Sequence, residues 1–198
     1  MNASANRAAK PLALTTRDIE IAVARHFNYR ANLIVPNVWW GWRLRHEADL
    51  LVVRPSGYCD EVEIKVSLSD IKADLKKRWS HWDDNRVLRV WFAVPEHLAG
   101  CEHIPAQAGV LSVSRRPKKQ GTGWRDTITV VRPAKLRDKR CRQKISDRDR
   151  LKLAELGAMR IWDLKSALTT CNRRNAESCA LGGTRSTPGQ KGRTNGNS

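Results

Sequence analysis

Apolar positions along the chain switch between helical and strand spacing in a definite order. From Thr15 to about Phe27, Ile19, Ala22, Val23 and His26 or Phe27 form one stripe, with Glu20 and Ala24 beside it. Asp18 follows Thr15 by three positions, as in an N-terminal cap, so a first helix is predicted here. From Asn32 to Trp42, Leu33, Val35 and the Trp39-Trp40-Gly41-Trp42 cluster suggest a strand or an aromatic hairpin edge, and Pro36 favours an edge or a bulge. Two strands, 47–53 and 61–67, then flank a turn at Pro55-Ser56-Gly57. Ser67 and Asp70 have cap spacing ahead of an amphipathic helix over about 70–82, with Ile71, Leu75, Trp79 and Trp82 toward the core and Lys72 and Lys76 elsewhere. Val87 to Val94, interrupted only by Arg89 and ended by Pro95, reads as a strand buried on both faces. Val110–Val113 and Thr127–Val131 read as shorter strands joined by a loop carrying Arg115, Arg116, Lys118 and Lys119. Leu153, Leu156, Met159, Ile161, Trp162 and Leu164 recur around Gly157 and predict a helix or helix pair over 151–168, packed on the core.

This order predicts an α/β protein with a mixed sheet flanked by helices. The expected division is a flexible lead over 1–14, a core over 15–134, a basic helical extension over 135–168 and a disordered polar tail over 169–198. At 198 residues the chain is long enough for one buried core. Its net charge of +17 favours a polyanionic partner, because Lys and Arg that neutralise phosphates release condensed counterions. Residues 135–150 alone hold eight basic and three acidic side chains, which concentrates that charge. No apolar run approaches the ~20 residues that span a bilayer, and residues 1–14 lack the apolar stretch of a secretion signal; a cytoplasmic protein without a membrane partner is expected. Cys59, Cys101, Cys141, Cys171 and Cys179 are scattered without zinc-ligand spacing and are expected as reduced thiols.

The chemistry concentrates in the two acidic strands. Side chains alternate across a strand, so Asp49 shares a side with Leu51 and Val53, and Glu61, Glu63, Lys65 and Ser67 share a side of the next strand. An acid on one strand, Glu-x-Lys on the next and a basic helix after it resemble the PD-(D/E)XK nuclease superfamily over roughly Thr15 to Val131. Asp49 stands at the motif's first acid, Glu63 at its second and Lys65 at its lysine; Glu20 resembles the glutamate many members carry on the first helix. The stretch Val87–Val113, with AVPEHL and IPAQAGVLSV, is similar to a bacterial DNA-repair and phage-associated subgroup. Ala48 departs from the motif's proline, at a position that performs no chemistry.

The resemblance implies a restriction-endonuclease-like fold and a magnesium-dependent nuclease, with manganese as a substitute. Asp49, Glu63 and the backbone carbonyl of Ile64 would hold the ion, and Lys65 would orient or deprotonate water and stabilise the transition state. Glu20 would take a second ion or a metal-bound water, and Glu61 is an alternative ligand. DNA is expected over RNA, with room for a homodimer. Lys72, Lys76, Arg115, Arg116, Lys118 and Lys119 are candidate phosphate contacts. The plainer alternative is a cross-strand salt-bridge ladder, but exposed pairs contribute only about 0–1 kcal/mol and explain little about carboxylates among apolar strands. A catalytically inactive nucleic-acid-binding module on the same scaffold, or a basic RNA-assembly protein, are the competing functions. The five histidines have no metal-ligand spacing, and His46 and His81 are expected as ordinary surface or helix-end residues.

Overall fold

Thr15 opens the first helix, α1 (Thr16–His26), with a complete capping box: its hydroxyl accepts from the Asp18 N–H, and the Asp18 carboxylate accepts from the Thr15 N–H. Ile19, Ala22 and Val23 on the inner stripe are buried, Ile19 and Val23 contributing about 1.5–3 kcal/mol each. This computed structural model describes residues 13–39, 46–75, 82, 85–118, 123–138 and 142–182, with side chains to residue 174. The chain divides into two compact units, 1–157 and 158–198.

The first unit is built on a six-stranded sheet in sequence order: β1 (Leu33–Val38), β2 (Ala48–Val53), β3 (Cys59–Ile64), β4 (Val87–Pro95), β5 (Gly109–Pro117) and β6 (Trp124–Arg132). β3, β4 and β5 run parallel, and the outer neighbours are antiparallel. Pro36 lies on the edge strand β1, the place in a sheet where a residue without an N–H is tolerated. Between β2 and β3, Gly57 adopts φ +85 and its N–H donates to the Arg54 carbonyl, closing the expected turn.

Alternation sorts the strand residues onto two faces that carry three buried clusters. On one face Leu50, Val52, Val62, Ile64, Trp91, Ala93, Leu111 and Val113 pack against Ile19, Ala22 and Val23 of α1. Trp91 lies across Gly109, its register partner on β5, where any Cβ would collide with the indole. On the other face Val90, Phe92, Val94 and Val110 pack against Ile71 of α2 (Leu68–Asp74) and against Ile104 and Ala108. β4 is therefore covered on both sides, which accounts for its nearly continuous apolar run. Val35, Leu51 and Val53 meet Ile145 and Leu153, the latter from the start of α3 (Asp147–Gly182).

Several elements differ from expectation. β3 begins at Cys59 and ends at Ile64, which leaves Lys65 beyond the strand, although its N–H still donates to the Ala93 carbonyl. Ser67 caps α2 by accepting from the Asp70 N–H, but Leu75 at the end of that helix is exposed rather than inward. β5 and β6 extend well past their apolar cores, so Arg115 and Arg116 are strand residues, not loop residues. Cross-strand pairs such as Arg115 with Asp126 prolong the ladder without apolar alternation.

The basic segment after β6 is tied into the first unit. N–H groups of Lys135, Arg137, Gln143 and Ile145 donate to the carbonyls of Gln107, Leu88, Asn85 and Gly57. Arg137 also donates to the Trp82 carbonyl, and Arg150 to those of Arg54 and Pro55. Ser146 caps α3 through the Asp149 N–H, and over the first three turns Leu153 is buried while Leu156 packs partly beside it.

In the second unit α3 continues to Gly182, past the expected helix end at 168 and the tail expected from 169. Arg173, Arg174, Ala176, Glu177, Ala180 and Leu181 are good helix formers, which outweigh the polar composition. Met159, Ile161, Trp162, Leu164 and Leu168 are exposed, so the expectation that they pack on a core is not met. Trp39 of the expected aromatic cluster is exposed, and Trp40 and Trp42, with Lys76, Trp79, His81, Lys119 and Cys141, lie outside the described residues. Among the described residues, Cys59, Cys101 and Cys171 carry reduced thiols.

Candidate functional site

Antiparallel pairing brings the start of β2 to the end of β3. Leu50 faces Val62 and Leu51 faces Glu61, so the register extended by one residue sets Asp49 beside Glu63. The parallel strands β3 and β4 end at this same edge, the usual place for sites in α/β sheets. Asp49 accepts from the backbone N–H of Ile64 at 2.7 Å, which fixes its carboxylate at the strand end.

Lys65 turns its ammonium back over the carboxylates. Nζ lies 2.5 Å from Glu63 Oε2, 3.2 Å from Asp74 Oδ1 and 3.8 Å from Asp49 Oδ2. Three carboxylates thus surround one ammonium. Burial alone would favour the neutral amine, but Glu63, then Asp49 and Asp74, outweigh it and raise the Lys65 pKa well above its ordinary value. The three side chains expected to converge do converge. Access is uneven: the Glu63 side chain is 1% exposed and Lys65 9%, whereas Asp49 is 33% exposed and forms the opening.

Glu20 approaches from α1. Burial raises its carboxyl pKa, Arg17 one turn back opposes the rise, and the nearby negative charge of Asp49 adds to it. Glu20 therefore belongs to the electrostatic environment of Asp49.

Two further residues join the cluster without having been anticipated. Asp74, at the end of α2, contributes the third carboxylate; its helical position hides it from a period-two pattern. His46, expected at the surface, is buried, with Nε2 2.6 Å from Glu61 Oε1. It precedes β2 by two residues and carries no periodic signal. Glu61, the alternative ligand, is itself fully buried. Asp60 is a different case: it pairs with Arg54 at 2.5 Å and Arg89 at 3.7 Å and serves the sheet, as a ladder would.

The basic candidates divide as well. Arg115 donates to both oxygens of Asp126 and pairs with Asp18 at 2.9 Å, so its guanidinium is engaged by protein carboxylates. Arg116 is exposed and paired with Glu96 at 3.0 Å. Lys72 and Lys118 are exposed. Lys76 and Lys119 fall outside the described residues.

No protein-family model matches the chain, and no curated protein matches it. Among solved structures, the chain is similar to the SPO1766 protein of unknown function from Silicibacter pomeroyi, at 23% identity and a TM-score of 0.52, covering 80% of this chain and 94% of that one. The similarity shows a shared α/β fold.

Proposed function

We propose that the protein is a divalent-metal-dependent nuclease of restriction-endonuclease-like architecture that hydrolyses phosphodiester bonds, with DNA as its favoured substrate. The observation that carries this reading is the meeting of Asp49, Glu63 and Asp74 around Lys65 at a partly open strand end. Hard carboxylate oxygens such as these are the donors that magnesium or manganese prefers. Asp49 and Glu63 would hold the ion, together with the Ile64 carbonyl that the resemblance implies. Bound there, the cation would supply an acidified water and neutralise charge on the phosphate.

The protein's own groups account for the rest. Asp49 keeps its orientation through the Ile64 N–H, and this holds its exposed oxygen toward the opening. Lys65, kept as an ammonium by its neighbours, is suited to donate to a phosphate oxygen or to orient water as charge develops. Exposed lysines such as Lys72 and Lys118 add attraction for the backbone.

The test is a panel of duplex, single-stranded and branched DNA and of RNA, incubated with magnesium or manganese. Cleavage by the wild type, with losses of about 10²-fold or more in Asp49→Ala and Lys65→Ala, is expected. No cleavage of any form with either metal would refute the enzyme. The charge of +17 independently favours a second reading, a binding module without catalysis. In that case Asp49→Ala would leave every activity of the protein unchanged.

A further inference from the structure

Behind the Asp49 opening, the same strand face carries a second set of donors. Glu61 and Glu63 alternate onto one side of β3, and His46 reaches them from the segment before β2. One ligand atom from each of the three lies within 4.8 Å of the other two. All three are buried, on a face otherwise formed by Leu51, Val90 and Phe92. We propose that His46, Glu61 and Glu63 form a cation site of their own, selective for a transition metal such as zinc or manganese over magnesium.

Donor chemistry separates this site from the one at Asp49. Glu63 faces the ammonium of Lys65, whereas Glu61 faces an imidazole, which as a neutral ring is a metal ligand rather than a counter-charge. Imidazole with carboxylates suits zinc, manganese or iron, while magnesium favours an all-oxygen shell with several waters. Ligand bonds of about 2.0–2.2 Å require donors roughly 3–3.5 Å apart, so the set needs small side-chain rotations and no movement of the sheet. The His46–Glu61 contact, at 2.6 Å, would open slightly as both turned to the ion. Glu63 would be common to both sites, and this inference does not depend on the chain being a nuclease.

The experiment uses the full chain, stripped of metal and loaded with one equivalent of zinc chloride, with X-ray absorption at the zinc edge and calorimetric titration of zinc, manganese and magnesium. One imidazole nitrogen among oxygen donors is expected. Zinc affinity should fall by at least the roughly 10–100-fold that even an outer-sphere partner of a ligand commands in His46→Gln and Glu61→Gln, and persist in Asp49→Ala. An all-oxygen or sulfur-containing shell, affinity unchanged in His46→Gln, or no stoichiometric zinc binding would each overturn the site. The absorption measurement needs only wild-type protein and so decides the matter even if a variant fails to fold. Nucleic-acid cleavage is not a readout, so failure here leaves the nuclease reading standing.

Discussion

Glu20 shows how a single side chain in the cluster trades stability for position. Its carboxyl pKa is raised by burial and by Asp49, against Arg17. A carboxyl whose folded pKa lies above its unfolded value of about 4.3 binds protons more tightly in the folded state, so its ionised form opposes folding at neutral pH. Glu20→Gln should raise the melting temperature at pH 7, and the gain should vanish below about pH 4, where the carboxyl is protonated in both states. Thermal unfolding of both proteins across that range checks this; a variant less stable at pH 7 would contradict it. Asp74→Asn removes one carboxylate from Lys65 without touching Asp49 or Glu63, and on the proposed nuclease reading cleavage should fall by about 10–100-fold, as for other residues that orient a reacting group. Undiminished cleavage would show that Lys65 needs no third partner. Asp49 and Glu63 were legible in the sequence because two-residue alternation assigns each to a definite strand face, and Lys65, which lies beyond β3, was legible through its place in the motif that the chain resembles. Asp74 and His46 were not, since a helix end and an irregular segment deliver them by tertiary packing alone.

At the level of elements, α1 is pinned to the sheet by a cap that also serves as an anchor. Asp18 accepts from Thr15 and pairs with Arg115 of β5, which in turn holds Asp126 of β6. Thr15→Ala should cost about 1 kcal/mol, the usual value of a cap, while Asp18→Ala should cost more because it also releases Arg115. Urea unfolding of the two variants, with equal losses counting against the anchor, measures the difference. Asp18 is held below the ordinary carboxylate range, first by the Thr15 backbone N–H, against burial, and then by the Thr15 hydroxyl and Arg115. That contribution is therefore present above about pH 4 and fades as the pH falls through the lowered value. The cap was legible from Thr15 and Asp18 alone. The length of the β5–β6 hairpin was not, because charged cross-strand pairs extend it where apolar alternation has stopped.

For the whole molecule, the order of helix, strands, helix and strands could be read from spacing, but the destination of the charge could not. Arg132, Arg137, Arg142 and Arg150 donate to backbone carbonyls, and Arg115 to carboxylates, so much of the basic excess serves the fold. Residues 158–198 contain seven basic and two acidic side chains and contribute +5 of the net charge. If nucleic acid is the partner, this second unit supplies affinity without chemistry. A chain ending at Gly157 keeps the sheet, Leu153 and the carboxylate cluster, so it should fold and, on the proposed nuclease reading, cleave saturating DNA at the full-length rate. Its affinity should fall and depend less on salt: log K against log salt has a slope of about −0.9 per phosphate neutralised, so removing seven basic residues should flatten it by at most about 6. Fluorescence anisotropy of both chains between low and physiological salt gives the two slopes. Identical slopes would mean that the contacts lie wholly within the first unit, on side chains such as Lys72 and Lys118.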